Sequence, residues 1–409
     1  MIILWLYELS IRCLSATISF LSIFNASIKR WIAVQKDHLG YIQSPAFNPE
    51  HKAVVWMHCS SLGEFEQGRE VFSKLRKNQP TYFFALSFFS PSGFVNIKNE
   101  GVADYVFYLP FDKSSYMSTL VKSINPSIFI LVKNELWWNL LKHISEHECK
   151  KYLIAFSLRR SPYYVHPLLY PFKNIFKLFD QIFATSIITT QILSAHKIYN
   201  SAVVGDPRID SVIAKKSGLS IVKPILNSPI IVYGSIYNSD LDKLIADISR
   251  LEGCIHMIVP HDVSLSNVKG ITDKLMHQNL KWDFLTENTS FKEYNILIVN
   301  SIGKLFSLYG MASMAYIGGA FNKGHHNCLE PAAFNLPICI YRGRKLSSEI
   351  NELLEAGVIT MLDDNLSFFD FVKLNLNDSG RMRAAKVCGE YLAQGRGASD
   401  RIVDVIISA

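Results

Sequence analysis

The sequence predicts an α/β protein built from two doubly wound parallel sheets. Short apolar runs alternate with helical patterns from Lys52 to Val204. The rhythm breaks over residues 211–228, a mixed stretch holding Lys215, Lys216, Gly218 and Pro224. A second alternating series begins at Ile230. Alternating β and α signals mark a parallel sheet covered by helices on both faces. A chain of 409 residues, 49% hydrophobic, has room for two such domains and their cores.

The first series places strands at 53–57, 81–86, 105–108, 128–132, 152–155, 181–184 and 202–204, with helices over 64–77 and 136–145. The second series places strands at 230–233, 255–259, 295–299, 314–317, 337–340 and 358–361, and a helical end over 381–409. The expected domains are 31–212 and 229–409, joined by a linker at 213–228, with the last helix able to pack back on the first domain.

Residues 1–30 stand apart. The first 24 are mostly apolar and aromatic, interrupted by Glu8 and Arg12. The uncharged stretch 13–28 is shorter than the about 20 residues of a spanning helix, and Lys29 and Arg30 follow it. No small-residue cleavage site is evident. The expectation is an uncleaved membrane-associated helix, lying on the bilayer or anchored in it, with the protein on the cytoplasmic side. The alternative is a buried amphipathic helix of the first domain.

The net charge of +7 suits an anionic partner. No Lys/Arg block of the nucleic-acid type occurs, which favours a membrane surface or a phosphorylated substrate. The seven cysteines are scattered without a CxxC pair, so free thiols are expected and no metal site.

The most informative segment runs from Ala315 to Phe334. An apolar run ends in Gly318 and Gly319, a loop carries Gly324, His325, His326 and Asn327, and Glu330 opens an Ala-rich helix. Backbone N–H groups at such a turn hold phosphate, and a carboxylate beside them grips sugar hydroxyls. Other strand ends carry similar groups. After the first strand, Ser61 and Gly63 form a polar turn. Glu64 follows, as a helix-dipole partner or as a general base. After 128–132, Glu135 can cap a helix, orient a basic group or assist the base. Arg159 and Arg160 follow 152–155 as phosphate contacts. Arg208 lies in a turn at the domain boundary, Gly234 and Ser235 end the first strand of the second domain, and Pro260 and His261 end the next.

Six signatures in order resemble one family: Ser61-Leu-Gly-Glu64, Asn134-Glu-Leu-Trp137, Gly205-Asp-Pro-Arg-Ile-Asp210, Gly234-Ser235, Ile302-Gly-Lys-Leu305 and Gly324-His-His-Asn-Cys-Leu-Glu-Pro331. They resemble the 3-deoxy-D-manno-octulosonic acid (Kdo) transferases of lipopolysaccharide assembly. The resemblance implies the GT-B architecture, two Rossmann-like domains facing a cleft. It implies inverting transfer of Kdo from CMP-Kdo to a lipid A precursor, lipid IVA, at the inner membrane. No DxD-like metal pair stands out at a strand end, so no metal and no cofactor are expected. Glu64 matches the family's base and Glu135 a second functional carboxylate. Glu330 matches the ribose ligand, with Gly319, Gly324 and Asn327 beside it. Gly234, Ser235, Pro260 and His261 fall where the family contacts CMP. Ser61, Gly63, Arg159, Arg160 and Arg208 are the candidate acceptor and phosphate contacts. The sequence departs from the family at Lys133, where many members are acidic, at His261, where many have Arg, and near Phe156, where an Arg is often found. Arg159, Arg160, Arg208 and Lys323 are the candidate replacements. The competing readings are another GT-B nucleotide-sugar transferase, a nucleotide-sugar 2-epimerase, and a non-catalytic membrane-associated nucleotide-binding protein.

Overall fold

The structure is a computed structural model. It describes all residues except 1, 50–51, 134–135, 159–173, 221–227, 287–288, 290–294, 323, 345 and 409. The chain forms two compact units, Met1–Ser211 with Arg396–Ala409, and Val212–Gly395.

The first unit opens with two helices, α1 (Ile2–Leu21) and α2 (Ala26–Gln43). Its seven strands are β1 (Val54–Cys59), β2 (Phe83–Phe88), β3 (Tyr105–Tyr108), β4 (Ile128–Val132), β5 (Lys150–Phe156), β6 (Gln181–Ala184) and β7 (Ser201–Val203). They lie in the order β3-β2-β1-β4-β5-β6-β7, every pair parallel. Helices α3 (Leu62–Asn78), α4 (Pro91–Ile97), α5 (Ser114–Ile124) and α6 (Trp138–Ser145) connect the first five strands. Trp56, Phe129 and Leu131 bury one sheet face with Met117 and Leu140 from α5 and α6. Val55, Met57 and Ile130 bury the other with Phe65 and Phe72 from α3. Successive strand residues serve opposite cores, which is why the strands read as unbroken apolar runs.

The second unit holds β8 (Ile230–Ile236), β9 (Ile255–Pro260), β10 (Trp282–Phe284), β11 (Ile296–Ile298), β12 (Met314–Ile317), β13 (Ile338–Tyr341) and β14 (Thr360–Leu362). Their order is β10-β11-β9-β8-β12-β13-β14, again all parallel. In both sheets the strand order reverses beside the first strand, between β1 and β4 and between β8 and β12. The carboxyl ends at such a switch point are where doubly wound folds bind ligands.

Three boundaries differ from expectation. The residues read as one linker begin inside a helix, Pro207–Ser217. Asp206 accepts the Arg208 N–H at 3.0 Å and Pro207 takes the first helical position, so the polar turn is a helix start. The final helical stretch is two helices, Asp378–Gly395 and Ala398–Ser408, which fall in different units. The last helix buries Ile402, Val403 and Ile406 in the α3 core of the first unit. Asp210 accepts N–H bonds from Gly397 and Ser399, both at 2.7 Å, and holds that helix start.

The N-terminal apolar stretch is also divided. Asn25 accepts N–H bonds from Ser27 and Ile28 and starts α2, so Lys29 and Arg30 belong to the second helix. Among the described residues, one helix window, Leu4–Leu21, is long and apolar enough to cross a membrane, and 11% of it is buried. Tyr7, Ile11, Ser15 and Ile18 form its inward stripe, while Trp5, Leu6, Leu9, Leu14 and Phe20 are exposed. Large apolar residues therefore stand on the exposed side of α1, together with Ser10, Arg12, Thr17 and Ser19.

Candidate active site

In the first unit, β1 delivers Glu64 to the switch point. Ser61 is the N-cap of α3 and Glu64 sits in its first turn. Glu64 Oε2 accepts the Ser60 N–H at 2.5 Å, so the backbone that turns from strand to helix aims this carboxylate. Ser60 O in turn accepts the Ser90 N–H at 2.7 Å, tying the ends of β1 and β2 together. Gly63 is exposed, and a Cβ there would meet nothing closer than Ser61 Oγ at 4.0 Å, which leaves open space beside Glu64. His58 is buried within β1 with Nδ1 2.9 Å from Ser87 Oγ, and burial pushes its pKa down to about 3. It is a neutral core histidine.

Across the switch point, Lys133 follows β4 in the left-handed region, φ 65°. Asn134 and Glu135 lie outside the described residues. The cap of α6 is supplied from elsewhere: Asp112 accepts the N–H groups of Asn139 at 2.9 Å and Leu140 at 2.8 Å. The Tyr7 hydroxyl of α1 donates to the same carboxylate at 2.6 Å. Burial raises the Asp112 pKa to about 7 against the lowering effect of these hydrogen bonds. Nothing in the local pattern around Asp112 pointed to this role, because its partners come from α1 and α6.

Arg159, Arg160 and Lys323 lie outside the described residues. Arg208 is engaged by its neighbour: Nε lies 2.8 Å and Nη2 2.5 Å from Asp206 Oδ2. The structure gives Arg208 an intramolecular partner where the sequence offered it as a phosphate contact.

In the second unit, five segments meet at the carboxyl ends of β8, β9 and β12. Gly234 pairs with Ile317 across the switch point. A Cβ on Gly234 would lie 2.0 Å from the Tyr309 hydroxyl, so only glycine fits. Ser235 follows at φ 53° beside a register shift between Gly234 and Ile236. Gly319 has φ 104°, and a Cβ there would lie 2.2 Å from Gly324 O. Asp240 binds this turn from below, accepting the Gly319 N–H at 3.1 Å, the Tyr316 hydroxyl at 3.0 Å and the Tyr237 N–H at 2.9 Å. Burial raises its pKa, opposed by those bonds.

Three rings close over the same end. His261 stacks on His326 with centroids 4.3 Å apart, and Tyr237 lies 4.8 Å from His261 and 5.7 Å from His326. Burial, then His261 and His325, lower the His326 pKa to about 4, so it is neutral at neutral pH. His325 lies with Nε2 2.7 Å from Tyr341 O. Among the described residues no group of three or more His, Cys, Asp or Glu side chains is placed to hold a metal ion.

Asn327 accepts the Leu329 N–H at 3.0 Å ahead of the short helix Leu329–Ala333, which carries Glu330. Glu330 pairs with Lys215 at 3.0 Å, and Lys216 donates to Ala333 O at 2.7 Å. Burial first, and then Glu330, push the Tyr309 phenol pKa upward. Tyr309 thus links Gly234 and Glu330. Tyr237, Asp240, Lys215 and Tyr309 escaped sequence reading. The lysine pair stood in an apparent linker, Asp240 and Tyr309 are ordinary helix residues, and Tyr237 is the N-cap of a helix.

A model of the family described as 3-deoxy-D-manno-octulosonic-acid transferase (kdotransferase) matches residues 35–211. The matched span covers most of the first unit. The chain resembles the 3-deoxy-D-manno-octulosonic acid transferase of Chlamydia trachomatis, 25% identical over 75% of this chain and 74% of the relative. It also resembles that of Haemophilus influenzae, 23% identical over 98% of this chain and 96% of the relative. Two solved structures share its fold. UDP-GlcNAc 2-epimerase from Neisseria meningitidis is 15% identical with a TM-score of 0.64, over 87% of this chain and all of that one (100%). A glycosyltransferase from Rickettsia africae is 12% identical with a TM-score of 0.52, over 87% and 98%. The chain is a glycosyltransferase with the two Rossmann-like units of the GT-B fold. Its family match contains Glu64, and the full-length relative extends the likeness through the unit that carries Glu330.

Proposed function

We propose that the enzyme transfers Kdo from CMP-Kdo to the 6′-hydroxyl of a lipid A precursor, lipid IVA, with inversion at the anomeric carbon. The observation that carries this is Glu64, held by the Ser60 N–H at a sheet switch point inside the family-matched span. Glu64 takes the proton of the acceptor hydroxyl as its oxygen bonds to the anomeric carbon. The bond from that carbon to the CMP phosphate oxygen breaks, and CMP leaves with the electron pair. The CMP portion sits at the Gly234, Ser235, Gly319 and Gly324 turns, beside Pro260, His261 and Asn327, with Glu330 on the ribose. Backbone N–H groups and basic side chains stabilise the departing phosphate, so a chelator leaves turnover unchanged. The exposed Trp5, Leu6, Leu9, Leu14 and Phe20 of α1, with Arg12 among them, support a helix lying in the surface of the inner membrane, with both units on the cytoplasmic face.

The test is incubation with CMP-Kdo and a tetraacylated lipid A precursor, followed by mass analysis of the product. Kdo addition that is lost in Glu64→Ala supports the reading. Near-normal turnover by Glu64→Ala overturns the base assignment. The fold likeness to UDP-GlcNAc 2-epimerase makes a donor panel the second arm: turnover of UDP-sugars but not CMP-Kdo overturns the donor.

A further inference from the structure

A cavity of about 340 Å³ lies in the first unit, lined by α1, α2 and the start of α5, and the transfer chemistry does not use it. Ser15, Gln35, Lys36, Gly40, Phe111 and Lys113 are among its walls. Its only ionisable carboxylate-or-amine walls are the two lysines. Neither lysine is ion-paired among the described residues, and Lys113 Nζ instead lies over the Tyr116 ring at 5.4 Å. Asp112, next in the chain to Lys113, is already engaged by Tyr7, Asn139 and Leu140. Two cations facing one semi-enclosed space with no acidic wall call for an anion. The cavity also adjoins α1, which exposes Trp5, Leu6, Leu9 and Leu14. At the end of α1 and in the turn after it, Phe20, Ile23 and Phe24 are 60%, 71% and 75% exposed. An anionic head beside an apolar platform is the pattern of a charged amphiphile.

We propose that this cavity seats the headgroup of an anionic glycerophospholipid, with Lys36 and Lys113 on its phosphate and its acyl chains against the outer face of α1. The proposal rests on the reading that α1 lies in the bilayer surface, and it adds a headgroup preference to that contact. Gly40 provides a clean way to close the cavity. A Cβ at Gly40 meets no atom within 4 Å, and Gly40 lies within α2, where a leucine favours the helix. Gly40→Leu therefore fills the space with the charge unchanged and the fold intact.

The full-length protein is sedimented with vesicles of phosphatidylcholine alone and of phosphatidylcholine with phosphatidylglycerol. The wild type binds both, and phosphatidylglycerol lowers the half-saturating lipid concentration about tenfold or more, on the scale of about 1 kcal/mol per lysine. Lys36→Ala/Lys113→Ala and Gly40→Leu keep the phosphatidylcholine binding and lose that gain. Inorganic phosphate at matched concentration does not compete. A gain that survives Gly40→Leu, or that inorganic phosphate abolishes, overturns the lipid site and leaves the interfacial helix standing. Failure to bind either vesicle overturns both.

Discussion

The two units carry the same sheet topology yet build their sites in different ways. In the first unit the candidate base is placed by its own neighbours: β1, the Ser60 N–H and the first turn of α3 lie within a few residues of Glu64. In the second, Gly234, Tyr237, His261, Tyr309, Gly319 and Glu330 come from separate segments and depend on one another. A locally built group loses its own chemistry when changed and little else. A tertiary one transmits damage through its neighbours.

The largest expected effect separates chemistry from grip. Glu64→Ala lowers turnover by roughly 10²–10⁴-fold, the usual worth of a general base, while CMP affinity measured by calorimetry stays within about twofold. Equal loss of both would merge the two roles. Next is Gly234→Ala, whose methyl meets the buried Tyr309 hydroxyl. It destabilises the protein by about 1–3 kcal/mol in denaturant unfolding, and adding Tyr309→Phe restores part of that loss. Additive losses in the double variant would show that the contact is not the cause.

Glu330→Ala is the mirror of the first experiment. It weakens CMP binding about tenfold, the scale of a lost hydrogen bond to a charged group, with turnover at saturating donor little changed. A fall in saturated turnover to the Glu64→Ala level would move the chemistry into the second unit.

The smallest effect concerns Asp112. Its folded pKa of about 7 lies above its ordinary value of 3.8 because burial disfavours the charged form. Its contribution to stability is therefore complete below pH 3.8 and is lost as pH rises through about 7. The melting temperature of the wild type falls more between pH 4.5 and pH 8 than that of Asp112→Asn. Parallel profiles would remove Asp112 as the source.

Much of the fold was legible because strands buried on both faces announce themselves as apolar runs. The exceptions have physical causes. β10 is three half-buried residues, Trp282 to Phe284, at a sheet edge, too short and too mixed to stand out. The last helix follows the second domain in the chain and is expected to be able to pack back on the first, but the Asp210 carboxylate that holds its start lies far upstream and gives no local signal. Arg208 lies at the other extreme, since its partner Asp206 is two residues away and the sequence already contained the pair.

By itself the sequence determined the two parallel sheets, the strand ends that carry Glu64, Gly234 and Gly319, and the apolar N-terminus. These follow from periodicity and turn chemistry, which act between near neighbours. Tertiary structure alone decided which face of α1 is exposed, how Tyr237, His261 and His326 meet, and that Lys215 reaches Glu330. Those outcomes depend on burial and on contacts between distant segments, and no local pattern encodes either.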